Sequence, residues 1–485
     1  MPIKSKIIPV ILLFGVAVFF SFYKLTESPP VWYDEGFYFQ TAANLAETGI
    51  GGLQLAPEKI TPISHLTVGY PLIYPLALLF KIFGISILKA RVLMVFFIMS
   101  LVLISYLAIK KRYGLNQSLL SIALLVTFPP LYGNGKSVLG EVPGLFWMMF
   151  FLWSLEKWKS TASKHKVYAI ATGVSAGLCV TTKPIFLLLI PAIVITAVAR
   201  RHKIPHKLKW VSFAVISFLL PVGFWVFTQF SGNDSLSDIL GFYANPYQIK
   251  NIAQIIISNL KPFITQIGPF SLLLMMTVWL LALLIRLKKK INIATEELIA
   301  IIFSSLIILA FLRTTGSYRY LFPAQIISLL YFPPSLSVVA KIVNEKFARK
   351  WDKLFKLLPQ IIIVPLFIFG FYQLMFSSWV ADAYGSNKTA FWSNYFSNLP
   401  PTSRVFFYDT PEIAVYIKNR NYYQYLAPAG GNIGQDQLSV IASDSIDLII
   451  IKTVALESLY LSNDFSGYSI EQRSYKYTIL NRVSR

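Results

Sequence analysis

Through the first 378 residues the chain alternates long apolar stretches with short polar connections. Measured against the roughly 20 mostly apolar residues that a helix needs to cross a bilayer, the stretches fall near 7–23, 89–109, 116–131, 142–155, 167–182, 184–199, 210–230, 263–285, 295–312, 320–340 and 358–378. In hydrocarbon a backbone must satisfy its own hydrogen bonds, so each stretch is predicted to be a helix. A further apolar run, 69–84, is interrupted by Pro71, Pro75 and Lys81 and reads as a juxtamembrane or re-entrant helix on the outer face. Past Trp379 the pattern changes. Short runs such as Val405-Phe406-Phe407-Tyr408 and Leu448-Ile449-Ile450-Ile451 alternate with polar, Pro- and Gly-containing turns, and a helix-like segment spans 412–419. That alternation predicts a small α/β or α+β domain. The expected organisation is an all-α polytopic membrane domain over 1–378 with about eleven transmembrane helices, followed by a small C-terminal domain over 379–485. The first outer loop, 24–88, would carry the juxtamembrane helices.

Composition supports this division. Of 485 residues, 55% are hydrophobic and 14% charged, with a mean hydropathy of +0.59. Soluble domains carry about 25% charge and roughly 45–50% apolar residues, so a water-soluble enzyme is excluded for most of this length. Intrinsic disorder is excluded as well, since it requires low hydrophobicity. Lys plus Arg number 44 against 22 Asp plus Glu, a net of +22. A nucleic-acid partner would suit that charge but not the scarcity of polar surface. The single cysteine, Cys179, excludes a disulfide framework.

The basic residues instead set topology. With the N-terminus inside, the inner connections are 1–6, 110–115, 156–166, 200–209, 286–294 and 341–357, and they hold 24 of the 44 Lys and Arg. Short Lys/Arg-rich connections stay cytoplasmic. The segment 379–485 has nine basic and nine acidic residues and is expected outside. Ser21-Phe22-Tyr23-Lys24 offers no small-residue cleavage site, so the first stretch reads as a span rather than a cleaved signal.

Ionisable groups at membrane level are costly unless they pair or function, which makes the few outer acids informative. Asp34 and Glu35 stand in Trp32-Tyr33-Asp34-Glu35-Gly36, ahead of an amphipathic run to Glu47. Capping that helix is the ordinary role for Asp34 and is compatible with a catalytic one. Glu141, in Gly140-Glu141-Val142-Pro143-Gly144, opens the fourth stretch, where the helix dipole favours a carboxylate. Two outer acids with aromatic neighbours suit proton abstraction or metal coordination. The outer basic residues are Lys183, in Thr182-Lys183-Pro184, and Arg313 and Arg319, with Tyr320 alongside. Guanidinium and ammonium groups suit phosphate recognition. Singly, each reads as a lipid-headgroup contact or a snorkelling side chain; it is their coincidence in one outer layer that points to a site.

In order along the chain stand Asp34-Glu35, Gly69-Tyr70-Pro71 leading to Leu79-Phe80-Lys81-Ile82-Phe83-Gly84, Lys89-Ala90-Arg91, Leu139-Gly140-Glu141-Val142-Pro143-Gly144, Thr182-Lys183-Pro184 and Arg319-Tyr320-Leu321-Phe322-Pro323. Over roughly residues 1–340 this set resembles the polytopic C-type-fold glycosyltransferases of the protein O-mannosyltransferase and aminoarabinose transferase group. The resemblance implies an enzyme of the cell envelope's plasma membrane. It would transfer a sugar, with inversion, from a polyprenyl-phosphate carrier to an acceptor protein, lipid or glycan on the extracytoplasmic face. It implies Asp34 as general base, Glu141 as a second acid, and Lys183, Arg319 and Arg313 as holders of the carrier phosphate. Glu35, Tyr70 and Tyr320 fall in the same substrate-binding set. Where aminoarabinose transferases place Glu-Lys-Pro before their Gly-Tyr pair, this chain has Ser64-His65-Leu66, so His65 is the candidate substitute for a phosphate-binding Lys.

The chemistry agrees with that picture. A polyprenyl phosphate is a competent leaving group, so the reaction needs charge stabilisation on the departing phosphate and a base at the acceptor hydroxyl. No nucleotide-phosphate loop is present. The residues call for no particular cofactor and leave metal dependence open: Asp34, Glu35 and Glu141 could bind a divalent metal, but no His/Cys cluster supports zinc. A lipid flippase would instead place charge at mid-bilayer on broken helices, and a non-catalytic scaffold would tolerate loss of the Asp34 carboxylate.

Overall fold

The computed structural model describes residues 3–62, 67–161, 164–200, 208–229, 251–346, 352–427, 433–442, 446–459, 465 and 467–483. Each apolar stretch predicted from the sequence lies in helix. In chain order the first half comprises α1 (Ile3–Phe22), α2 (Tyr33–Thr48), the hairpin β1 (Gly52–Ala56) and β2 (Lys59–Pro62), α3 (Tyr70–Phe83), α4 (Ile87–Val126), α5 (Pro129–Gly135), α6 (Glu141–Ser160), α7 (His165–Thr182), α8 (Leu189–Ala199) and α9 (Leu208–Gln229). Helices Ile267–Lys288, Thr295–Phe311, Phe322–Lys346 and Asp352–Tyr372 follow. Five described helices are long and apolar enough to cross a membrane by length and composition.

Two stretches predicted as separate, 89–109 and 116–131, meet in α4, which is interrupted at Gly114 (φ 85°, ψ 176°). Only glycine enters that region without a Cβ clash, and the break falls two residues after the basic run Lys110-Lys111-Arg112. The interrupted run 69–84 forms α3, whose 14 residues reach about 21 Å at 1.5 Å per residue, short of a hydrocarbon core.

The connections that charge assigns to one side meet at one end of the bundle. Arg112 donates to the Asn292 carbonyl at 3.3 Å, Arg200 to the Ile293 carbonyl at 2.8 Å, Lys159 pairs with Glu296 at 2.8 Å and Lys289 with Glu345 at 2.6 Å. Laterally, α4 packs on α1, α6 and Phe322–Lys346, and α7 packs between α6 and α9.

The C-terminal segment builds a five-stranded sheet from β3 (Val405–Tyr408), β4 (Tyr422–Tyr425), β5 (Leu448–Lys452), β6 (Tyr468–Ser474) and β7 (Tyr477–Arg482), in the order β4-β3-β5-β7-β6. The three strands β4, β3 and β5 run parallel and β6–β7 is an antiparallel hairpin. Central strands β3 and β5 are almost wholly buried, as their unbroken apolar runs require, whereas edge strand β6 is mostly exposed and carries Glu471 and Arg473. The helix expected over 412–419 shortens to one turn, Pro411–Ala414. Beyond it β-branched Val415 and Ile417 disfavour helix, and the Tyr416 hydroxyl bonds to Thr389 at 3.2 Å.

This domain docks on the first outer loop. Gln40 of α2 donates to the Pro411 carbonyl at 3.1 Å, Gln424 to Gln40 at 2.8 Å, and Gln54 of β1 to the Arg420 carbonyl at 2.8 Å. Gly36 lies so close that a Cβ there would sit 2.4 Å from the Pro411 carbonyl carbon.

Candidate functional site

Four chain segments far apart in sequence bring four charged side chains together. Asp34 lies in the first turn of α2. Glu141 opens α6. Lys183 caps α7 ahead of the turn Pro184–Leu188, and Arg319 lies in the turn Tyr318–Leu321 that leads into Phe322–Lys346. Arg319 bridges the two acids: its Nη2 is 2.5 Å from Asp34 Oδ2 and its Nε 3.1 Å from Glu141 Oε1. Lys183 Nζ donates to the same Glu141 oxygen at 2.6 Å.

The cluster has a closed end and an open end. The Glu141 and Lys183 side chains are 3% and 6% exposed, Arg319 is 12% exposed and Asp34 is 35% exposed. Solvent, and any incoming molecule, therefore meets Asp34 first. Glu141 Oε2 is buried and makes no hydrogen bond, so the closed end keeps unused acceptor capacity. The Arg319 guanidinium lies 5.6 Å from the Trp32 ring centroid and 5.9 Å from that of Tyr320, a pairing that fixes the planar fork. Two cations and two carboxylates balance, so an added phosphate must compete with a carboxylate for its cation.

The capping role open to Asp34 belongs to its neighbour. The N-cap is Trp32, and its N–H donates to Glu35 Oε2 at 3.2 Å. Glu35 is fully buried behind the cluster. It accepts from Arg91 Nε at 3.1 Å and Nη2 at 2.9 Å, and from the Val138 N–H at 3.1 Å. The structure thus turns Glu35 inward, with no exposed oxygen for the substrate-binding role the resemblance implied. Tyr70 begins α3 and packs edge-on to Phe224 of α9 at 4.7 Å, outside the ion cluster. Arg313 is exposed in the same connection as Arg319 and does not join the cluster. His65 lies outside the described residues.

Sequence reasoning overlooked Tyr38. It sits one turn beyond Asp34 on α2, buried, with its hydroxyl 2.5 Å from Thr67 Oγ1. Burial, with the Asp34 carboxylate nearby, pushes its phenol pKa well up, so it stays neutral and able to donate. Helical spacing i, i+4 from Asp34 was the available signal. For a divalent metal the fit is poor: Asp34, Glu35 and Glu141 each already face a guanidinium or ammonium group, and among the described residues no three His, Cys, Asp or Glu side chains converge.

Lys183 and Glu141 form a buried pair, so Lys183→Met is expected to strand a buried carboxylate. Breaking such a pair costs about 3–5 kcal/mol, and the remaining Arg319 contact holds the loss near the lower end. Thermal unfolding in detergent reads this, and a melting temperature equal to that of the unsubstituted protein would contradict it.

Comparison with known proteins follows the same lines. A family model described as dolichyl-phosphate-mannose-protein mannosyltransferase matches residues 71–226. ArnT from Cupriavidus metallidurans in the apo state superposes with a TM-score of 0.64 at 12% identity, covering 98% of this chain and 98% of that one. The fold is that of the C-type glycosyltransferases. ArnT bound to undecaprenyl phosphate matches over the same share of both chains, with a TM-score of 0.63 at 12% identity. The Archaeoglobus fulgidus oligosaccharyltransferase matches 95% of this chain and 71% of its own, with a TM-score of 0.63 at 12% identity. Comparison with curated proteins by sequence finds no match. The resemblance carried by the ordered motifs holds, and the likeness in fold continues through the C-terminal domain.

Proposed function

We propose that this chain is an integral-membrane inverting glycosyltransferase. In this reading eleven helices cross the plasma membrane with the N-terminus inside, and the ion cluster and residues 379–485 lie on the extracytoplasmic face. The donor is a sugar on a polyprenyl phosphate and the acceptor a protein, lipid or glycan hydroxyl. The observation that carries the reading is Arg319 bridging Asp34 and Glu141, in a fold whose solved relatives include ArnT bound to undecaprenyl phosphate.

The reaction divides among these groups. The carrier phosphate displaces Asp34 from Arg319 and is held by Arg319 and Lys183, with Arg313 and Tyr320 at the approach. Asp34, released and facing the open end, accepts the proton of the acceptor hydroxyl. That oxygen bonds to the anomeric carbon as the bond from the anomeric carbon to the phosphate oxygen breaks. The bonding pair leaves with the polyprenyl phosphate, whose added negative charge the two cations stabilise. One displacement inverts the centre. Glu141 keeps both cations ionised and presents Oε2 to a sugar hydroxyl. No step requires a metal.

Purified full-length protein in detergent micelles, given a panel of labelled polyprenyl-phosphate hexoses and pentoses with envelope membranes as acceptor, tests the proposal. Transfer from at least one donor is expected, as is binding of undecaprenyl phosphate. Arg319→Ala should weaken that binding about 10- to 100-fold, the worth of a charge-assisted hydrogen bond of about 1.5–3 kcal/mol. A protein that turns over no donor and binds undecaprenyl phosphate no better than Arg319→Ala would overturn it.

A further inference from the structure

At the carboxyl end of β3 the C-terminal domain places Asp409 in the left-handed region, φ 53°, a conformation that Asp tolerates but that costs free energy unless the surroundings fix it. Its carboxylate accepts three hydrogen bonds. Oδ1 accepts from the Tyr33 hydroxyl at 2.5 Å and from the Ala427 N–H at 3.0 Å, and Oδ2 accepts from Lys452 Nζ at 3.0 Å. The same ammonium lies 4.5 Å from the Tyr33 ring centroid. Burial, reinforced by Asp409, pushes the Tyr33 phenol pKa up, which keeps it a donor. Tyr33 is the first residue of α2, and the next residue is Asp34. On the far side of this turn Asp34 holds Arg319.

We propose that Asp409 is a positioning residue, through which the C-terminal domain grips Tyr33 and sets the orientation of the Asp34 carboxylate. This rests on Asp34 being the base. The domain is then a working part of the site rather than an appended module. Asp409, just past β3, and Lys452, the last residue of the adjacent parallel strand β5, enclose the Tyr33 ring and hydroxyl, while Gly36 against Pro411 closes the contact one turn further along. The first turn of α2 is thereby held from both sides, by Arg319 and by the sheet edge.

The test is kinetic, on full-length protein with whichever polyprenyl-phosphate sugar of the panel it turns over. Tyr33→Phe removes one hydroxyl and leaves the packing intact. Tyr33→Phe and Asp409→Ala should each lower kcat about 10- to 100-fold, the loss expected when a reacting group moves by about 1 Å. The donor KM should stay within about twofold in each. The double variant should fall no further than the singles, because both remove one interaction. Asp409→Asn keeps an acceptor for Tyr33 and should recover most of the rate. Should Asp409→Ala fail to fold, Tyr33→Phe alone carries the comparison. If Tyr33→Phe stays within twofold in kcat while Asp34→Asn is inactive, the positioning role is wrong and the base assignment stands. The positioning role is also wrong if Asp409→Asn is as slow as Asp409→Ala, since the pair with Lys452 would then be what matters. An active Asp34→Asn removes the base assignment, and this inference with it.

Discussion

Asp34→Asn is expected to reduce transfer from the polyprenyl-phosphate sugar about 10²- to 10⁴-fold, the range a positioned general base contributes, without weakening carrier binding. The two halves of that result come from one geometry. Asn has the shape of Asp, so the first turn of α2 and the Tyr33 contact to the C-terminal domain remain. What is lost is a proton acceptor at the open end of the cluster and a negative charge on Arg319 Nη2. With that competitor gone, Arg319 is free for the phosphate, and undecaprenyl phosphate should bind the variant at least as tightly as the unsubstituted protein. A binding assay beside a transfer assay separates this from general damage, which would lower both. Transfer that survives undiminished would remove Asp34 from the chemistry. Loss of binding together with transfer, at an unchanged melting temperature in detergent, would mean that Asp34 helps to hold the carrier.

The helices were legible because lipid leaves the backbone so few solutions. Where a stretch of apolar residues had to satisfy its own hydrogen bonds, helix was the answer each time. Connections were harder. Gly114 reads as an ordinary turn residue, yet it merges two predicted helices into an interrupted α4. The site was legible in part. Asp34, Glu141, Lys183 and Arg319 stood out because charges are scarce and basic residues on the outer side break the topological rule, and these four do meet. Glu35 looked the same as Asp34 in one dimension. Its inward direction depends on helical phase and on Arg91, 56 residues on. The docking of the C-terminal domain was invisible for a different reason. Gln40, Asn44 and Gln54 are polar, and polarity predicts exposure. Here they are buried: Gln40 and Gln54 donate to the Pro411 and Arg420 carbonyls and Asn44 accepts from the Arg420 guanidinium, across a contact that no local pattern encodes.

Arg91→Met, in α4, should be the most destabilising single change among the contacts that hold the first outer loop, costing on the order of 3–5 kcal/mol, because it leaves a buried charge without its partner. Arg91 is fully buried and spends its donors on Glu35 twice, on the Leu25 carbonyl at 2.9 Å and on the Pro29 carbonyl at 2.7 Å. It therefore ties the end of α1, the approach to α2 and the start of α4 into one block. Glu35 in turn fixes the Trp32 N–H at the head of α2, so the variant should lose activity beyond its loss of stability, through a displaced Asp34. Arg91→Lys would not restore it, since one ammonium cannot span two carboxylate oxygens and two carbonyls with the fixed fork of a guanidinium. Glu35→Leu combined with Arg91→Met makes the decisive comparison. Removing both charges erases the uncompensated-charge penalty, so the double variant should be more stable than Arg91→Met alone. It should still fall short of the unsubstituted protein, because the Val138 and Trp32 N–H groups and two carbonyls lose their partners. Melting temperatures in detergent that rank Arg91→Met at or above the double variant would show that the pair contributes no net coupling. The block around α2 would then be held by packing alone.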